Sequence, residues 1–246
     1  MKRVHFGSYA AALALVALVA AAAEAQQGRG RGGFGFGFGG PGGRGLVSLA
    51  ANEAVQKDLG LSADAAGKLN TLNEDYRAAQ RKEYTTTGID LQNSQNLSND
   101  ERQKMQAKMT DVNTKLNEEF TPKLKELLSA DQMKRLKQIQ IQEQGSGALT
   151  NADVATELAL TEEQKKKLND LQAEYRRKQG ELFGGGAGGD IQERLAKGRE
   201  LTTERDAKAA EVLTAEQKIK YTALKGSPFD VSQLGFGGRG GRKGKN

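Results

Sequence analysis

The chain has 246 residues, a net charge of +6, 37% hydrophobic and only 5% aromatic residues, a single His, and neither Cys nor Trp. That length suits one or two ordinary domains, with a thin core resting on Leu, Ala and a few Tyr. The absence of Cys excludes disulfides, thiolate zinc sites and cysteine nucleophiles together.

Residues 1–25 read as an export signal, which predicts a periplasmic or secreted protein. Lys2 and Arg3 supply the positive start, Ala10 to Ala23 is an apolar run of 14 residues, and Ala23-Glu24-Ala25 carries small residues where a signal peptidase reads. As a helix such a run covers about 21 Å, short of the roughly 30 Å of a hydrocarbon core. The rival reading is an uncleaved anchor. Cleavage would start the mature chain at Gln26 and remove His5, the one histidine. The commonest general base and the soft metal ligands would go with it, so no metal and no cofactor are expected. Asp and Glu could still hold a hard cation, but no acidic loop of the D-x-D-x-D-G kind is present.

Residues 26–45 form a Gly/Arg/Phe tail. Gly28 to Gly45 holds 11 glycines in 18 residues, with Phe34, Phe36 and Phe38 alternating with Gly, and with Arg29, Arg31 and Arg44. Residues 235–246 resemble it, with Phe236, Arg239, Arg242, Lys243 and Lys245. Neither tail can bury enough surface to offset its backbone entropy, so both are expected to be disordered. The tails carry +3 and +4 and residues 1–25 carry +1, which leaves −2 of the net +6 for residues 46–234. The seven basic side chains are therefore candidate contacts for an anionic polymer, by charge and by stacking of the aromatics. The Gly-rich run is no phosphate loop, because no strand precedes it and no G-K-[ST] follows.

Between the tails, one short pattern recurs at four predicted helix starts: Leu61-Ser62, Leu128-Ser129 with Gln132, Leu160-Thr161 with Gln164, and Leu213-Thr214 with Gln217. The hydroxyl can accept from an unpaired amide of the first turn, and the Gln can answer back to the cap amide. Ala65 replaces the Gln at the first site, so that box is half made. Each cap is followed by an apolar stripe at helical spacing: Leu69, Leu72 and Tyr76; Leu136 and Ile139; Leu168, Leu171 and Tyr175; Tyr221 and Leu224. Such stripes must pack on something, either as a core or as a binding face.

The first and third sites are offset by 99 residues and the second and fourth by 85, which marks a tandem duplication. The expected architecture is all-α: two tandem helical-hairpin units, residues 46–146 and 147–234, flanked by the disordered Gly-rich tails. Each unit should hold a helix, a long returning helix and a short final one. The first hairpin turns near Thr85 to Asp90 or within Asn93 to Asp100, and the second at the glycines of Gly184 to Gly189. Pro122 threatens a kink, and Gly226-Ser227-Pro228 stops the last helix.

The repeated Leu-(Ser/Thr)-x-x-Gln at helix starts, in a chain with an export signal, resembles the LTxxQ-motif periplasmic proteins of the Spy and CpxP group. The resemblance spans roughly residues 46–230. It implies a dimer of helical hairpins shaped as a cradle, which holds partly folded envelope proteins or restrains a stress sensor. The metal-sensing branch works through histidines, which residues 26–246 lack, so that property does not carry over.

Tyr76 and Tyr175 sit among charges (Glu74, Asp75, Arg77; Glu174, Arg176, Arg177), yet a Tyr on an apolar stripe is ordinarily a core residue with a wet hydroxyl. Lys165, Lys166 and Lys167 read as a solvated face. No enzyme and no small-molecule substrate are expected. Two functions remain: binding of partly folded envelope proteins or of a second copy of the chain, and scaffolding tethered to anionic envelope or matrix polymers through the tails. Exposed apolar area on the body would favour the first.

Overall fold

The structure, a computed structural model, describes residues 44–91, 97–183 and 190–235. The export signal, most of both tails, the glycine turn 184–189 and part of the Asn93–Asp100 run lie outside the described residues. The described chain is all-helical, with no strand. Its elements are α1 (Leu46–Ala50), α2 (Glu53–Asp58), α3 (Ala63–Thr86), α4 (Asn99–Leu127), α5 (Ala130–Gln144), a 3₁₀ segment (Gly145–Thr150), α6 (Ala152–Glu157), α7 (Glu162–Phe183), α8 (Ile191–Val212), α9 (Ala215–Lys225) and a final 3₁₀ turn (Val231–Leu234).

The caps form as their side chains dictate. Ser62 Oγ accepts from the Ala65 amide alone, the half-made box. Ser129 with Gln132, Thr161 with Gln164, and Thr214 with Gln217 each bond reciprocally. A further capping box, Ser98 with Glu101, starts α4. Pro122 lies inside α4 without ending it.

Sequence reading did not anticipate the short helices that precede each long hairpin, and these too repeat. Asn52 caps α2 and its counterpart Asn151 precedes α6. Both short helices end in the same left-handed turn. The Leu61 amide bonds to the Gln56 carbonyl and the Leu160 amide to the Ala155 carbonyl, at 3.1 and 2.9 Å. The left-handed residue is Gly60 in one copy (φ +62°) and Ala159 in the other (φ +49°), the only non-glycine with positive φ among the described residues. Ala there carries a steric cost that Gly does not. Ala159→Gly is expected to raise stability by about 0.5–1 kcal/mol, and Gly60→Ala to lower it by about 1 kcal/mol, both read by urea denaturation.

The helices enclose two apolar clusters. The first gathers α1 to α4 and most of α5, with Leu49, Leu69, Leu116, Leu124, Leu136 and Ile139 fully buried. The second gathers the 3₁₀ segment and α6 to α9 around Leu149, Leu158 and Leu168. One helix joins them: α5 gives Met133, Leu136 and Ile139 to the first cluster and Ile141 to the second. The chain then crosses back, so that Leu234 is buried in the first cluster and Phe229 packs against it.

The two long hairpins differ in what they bury. Along α4, Met109, Val112, Leu116, Phe120 and Leu124 are all buried, and Phe120 meets Tyr76 edge-on at 5.3 Å between centroids. At the corresponding places α8 carries Arg194, Lys197, Leu201, Arg205 and Ala209, of which only Ala209 is buried. Arg205 takes the place of Phe120 and lies over the Tyr175 ring at 4.4 Å. Arg194 Nε is buried and meets no acceptor among the described residues. Beyond Ala209 the α7–α8 hairpin is therefore held largely by polar contacts, such as Tyr175 with Thr202 and Lys178 with Glu204, rather than by a buried apolar row. Its amides over 172–182 and 191–204 are expected to exchange at least about ten-fold faster than those over 70–82 and 104–118 of the α3–α4 hairpin.

Candidate functional site

The repeated glutamines do more than cap. Gln132 Nε2 donates to the Leu59 carbonyl at the end of α2 (3.2 Å), and Gln217 Nε2 donates to the equivalent Leu158 carbonyl at the end of α6 (3.3 Å). In the second copy Gln164 joins in. Its Nε2 donates to the Val212 carbonyl and to Gln217 Oε1, while Gln217 Nε2 donates back to Gln164 Oε1, at 2.7–3.0 Å. Both amides use every donor and acceptor they have. Gln217 is the buried polar side chain of the described chain, and full satisfaction is what allows it there. In the first copy Ala65 stands where Gln164 stands in the second, so no such pair forms. The recurring motif is thus a knot between helix ends.

The candidate apolar face falls mainly in the core. Leu69, Leu72, Tyr76, Leu136, Ile139, Leu168 and Tyr221 are buried, and Leu171, Leu224 and Tyr175 are partly buried. Leu61 packs at the edge of the first cluster, while Leu128, Leu160 and Leu213 are buried within the two. Among the described residues the large apolar side chains that stand exposed are Leu91, Ile219 and Val231. Burial raises the Tyr76 and Tyr221 hydroxyl pKa values above the usual range, with Tyr84 adding at Tyr76 and Asp206 at Tyr221. The Tyr175 hydroxyl is 3.0 Å from Thr202 Oγ1 and accepts from Gln179 Nε2 at 2.7 Å. Lys165, Lys166 and Lys167 each pair with a carboxylate on their own helix (Glu162, Asp170, Glu163), all at the surface, where such pairs contribute little.

Among the described residues no group of three or more His, Asp or Glu is placed to hold a metal ion, and no helix is long and apolar enough to cross a membrane. A shallow groove between α3 and the end of α4, lined by Gly67, Thr71, Lys123 and Glu126 among others, gathers no nucleophile with a base.

The most developed recognition geometry lies where the C-terminal segment returns over the first cluster. After α9 the chain turns at Gly226 (φ +63°), where a Cβ would run into the Gln138 side chain, and residues 226–230 then cross the surface of α5 without helix. Gln142 reads this backbone in both senses. Its Nε2 donates to the Lys225 and Ser227 carbonyls at 2.6 and 2.9 Å, and its Oε1 accepts from the Phe229 amide at 2.7 Å. Arg135, anchored on Asp58 by bonds of 2.7 and 3.1 Å, donates to the Ser227 carbonyl at 2.6 Å. Asn52, the α2 cap, donates to the Leu234 carbonyl at 3.3 Å. Two apolar side chains anchor the strap: Leu234 is buried and Phe229 half-buried, while Val231 between them faces solvent.

Arg44, one of the seven basic candidates for polymer contact, is committed to this region. Its guanidinium donates to the Leu234 and Gly235 carbonyls and faces Glu143 at 3.5 Å, and its own carbonyl accepts from Gln140. Burial pushes the Glu143 carboxyl up, against the opposing pull of Arg44. Arg29, Arg31, Arg239, Arg242, Lys243 and Lys245 lie outside the described residues. Sequence reading missed Asn52, Arg135, Gln142, Phe229 and Leu234 altogether. The available signal was two apolar residues five apart just beyond the helix stop Gly226-Ser227-Pro228, with Asp230 between them, whose carboxylate accepts from the Ser232 amide.

Comparisons with protein-family models, with curated proteins and with solved structures return no match.

Proposed function

We propose that this chain is an exported helical interaction protein that binds short segments of partly folded envelope polypeptides. One observation supports this reading above the others: the body already holds a peptide segment that lies outside its α-helices, its own residues 226–235, in the manner of a peptide receptor. Side-chain amides and a guanidinium bond to the backbone, and two apolar residues fill the surface beneath. Bonds to backbone are indifferent to sequence, and apolar anchors supply affinity, which together suit clients of varied sequence. The apolar stripes, which the sequence left open as core or binding face, do not carry the reading, because most of those side chains are buried. Binding is instead assigned to a local groove over α5 and α2.

The test is suppression of aggregation of a chemically unfolded model protein at equimolar ratio. The protein is expected to suppress it, and neutralising Arg29, Arg31, Arg239, Arg242, Lys243 and Lys245 to Gln is expected to leave the effect intact. No suppression by either protein rejects the reading.

A second reading rests on the charge distribution, +3 and +4 in the terminal segments against −2 between them. It takes the body as a scaffold tethered to an anionic polymer. Heparin binding that falls with salt and disappears in the neutralised variant, together with no suppression of aggregation, would select it.

A further inference from the structure

The groove that would bind clients is filled in this structure by the chain itself, and the filling is of a kind that can come away. The strap follows α9 through a glycine turn, and its backbone from 226 to 230 makes no ladder with any neighbour. Most of its side chains face solvent: Ser227, Pro228, Asp230, Val231, Ser232 and Gln233 are exposed. Its hold on the body comes from Phe229, Leu234 and side-chain bonds to its backbone. Nothing in α5 depends on the strap for its own helical bonds. Release would uncover the apolar surface beneath Phe229 and Leu234, and would free the Gln142 amide and one guanidinium nitrogen of Arg135 to bond another backbone. Arg135 would stay positioned by Asp58.

We infer that residues 226–235 are an autoinhibitory strap: a tethered competitor that covers a peptide-binding groove on α5 and α2 and yields to an unstructured segment of like chemistry. This rests on the polypeptide-binding reading above and adds its regulation. The occupant is specified by the strap. It is a segment with an aromatic or large aliphatic residue, four residues that stay exposed, and a second aliphatic residue, with a free backbone amide at the first anchor and a free carbonyl two residues before it. Partly folded proteins expose such segments, whereas folded ones bury them. The tether gives the strap an effective concentration in the millimolar range, so a strap whose intrinsic Kd for the groove is about 0.1 mM weakens any competitor roughly ten-fold. A groove masked in this way would ignore occasional apolar residues on folded surfaces and respond where many segments are exposed at once.

The experiment uses the full chain and a fluorescent peptide of the strap sequence, Gly-Ser-Pro-Phe-Asp-Val-Ser-Gln-Leu-Gly, read by anisotropy. The variant Phe229→Ala with Leu234→Ala is expected to bind the peptide at least about ten-fold more tightly than the unaltered protein. Adding Gln142→Ala should abolish that gain, and a peptide with both anchors changed to Ala should not bind. Because Leu234 is buried, Phe229→Ala alone serves as a milder release, and helical circular dichroism checks that each variant is folded. A folded release variant that binds no more tightly than the unaltered protein overturns the strap. Equal binding of the anchorless peptide overturns the two-anchor specification. Peptide binding in the release variant without suppression of aggregation would keep the groove and reject the client reading. Suppression by the unaltered protein with no peptide binding would do the reverse.

Discussion

Leu136→Ala is expected to lower the free energy of unfolding by roughly 3 kcal/mol, because a fully buried Leu loses its transfer energy and leaves a cavity. Leu136 lies in the middle of α5, the helix shared by both apolar clusters, so the neighbours able to collapse into the gap are fixed from two sides. Leu69→Ala, fully buried on α3, should behave alike. The measurement is urea denaturation followed by circular dichroism. It also decides the fate of the apolar stripes, since on an exposed client-binding face either change would stay within about 0.5 kcal/mol. A loss near zero at both sites would mean that the stripes are a surface and that the two helices do not pack through them.

The second large effect belongs to the glutamine knot. Gln217→Leu keeps volume and removes the amide, leaving the Leu158 carbonyl, the Thr214 amide and both polar atoms of Gln164 short of a partner. With about 1–3 kcal/mol for each buried group left unsatisfied, and part of the set able to turn to water, a loss of about 3 kcal/mol is expected. Gln132→Leu removes the same two contacts in the first copy, where no second glutamine is attached, and should lose only about 1 kcal/mol. A double-mutant cycle between Gln164 and Gln217 should show a coupling of about 1 kcal/mol or more. Equal losses at Gln132 and Gln217 with no coupling would reduce the motif to plain helix capping.

These two expectations divide along what could be seen in the residues themselves. The helix starts were legible because a cap is local: a hydroxyl, an amide three residues on and a glutamine that reaches back all lie within one turn. The apolar stripes were legible for the same reason, since period 3.6 is a property of the helix alone. Repetition of caps and stripes at offsets of 99 and 85 marked a repeat-like, all-helical chain. The short helices α1, α2 and α6 were not legible, because five or six residues carry too little periodicity to register. Asn52 and the Ser98-x-x-Glu101 box were legible in principle and were passed over.

Tertiary structure alone decided the rest. Whether a stripe is core or surface depends on what faces it, and Leu69 and Leu136 acquire that meaning only when their helices meet in one cluster. The glutamines look like caps in sequence, but Gln217 and Gln164 are 53 residues apart and bond only because α7 and α9 start side by side. Arg205 in place of Phe120 reads as one more surface charge until α8 sets it over Tyr175. The strap is the clearest case: residues 226–234 read only as the end of the second helical unit, beyond a helix stop. Their partners Asn52, Arg135 and Gln142 lie about 80 to 180 residues earlier in the chain, a separation at which no local pattern can signal a contact.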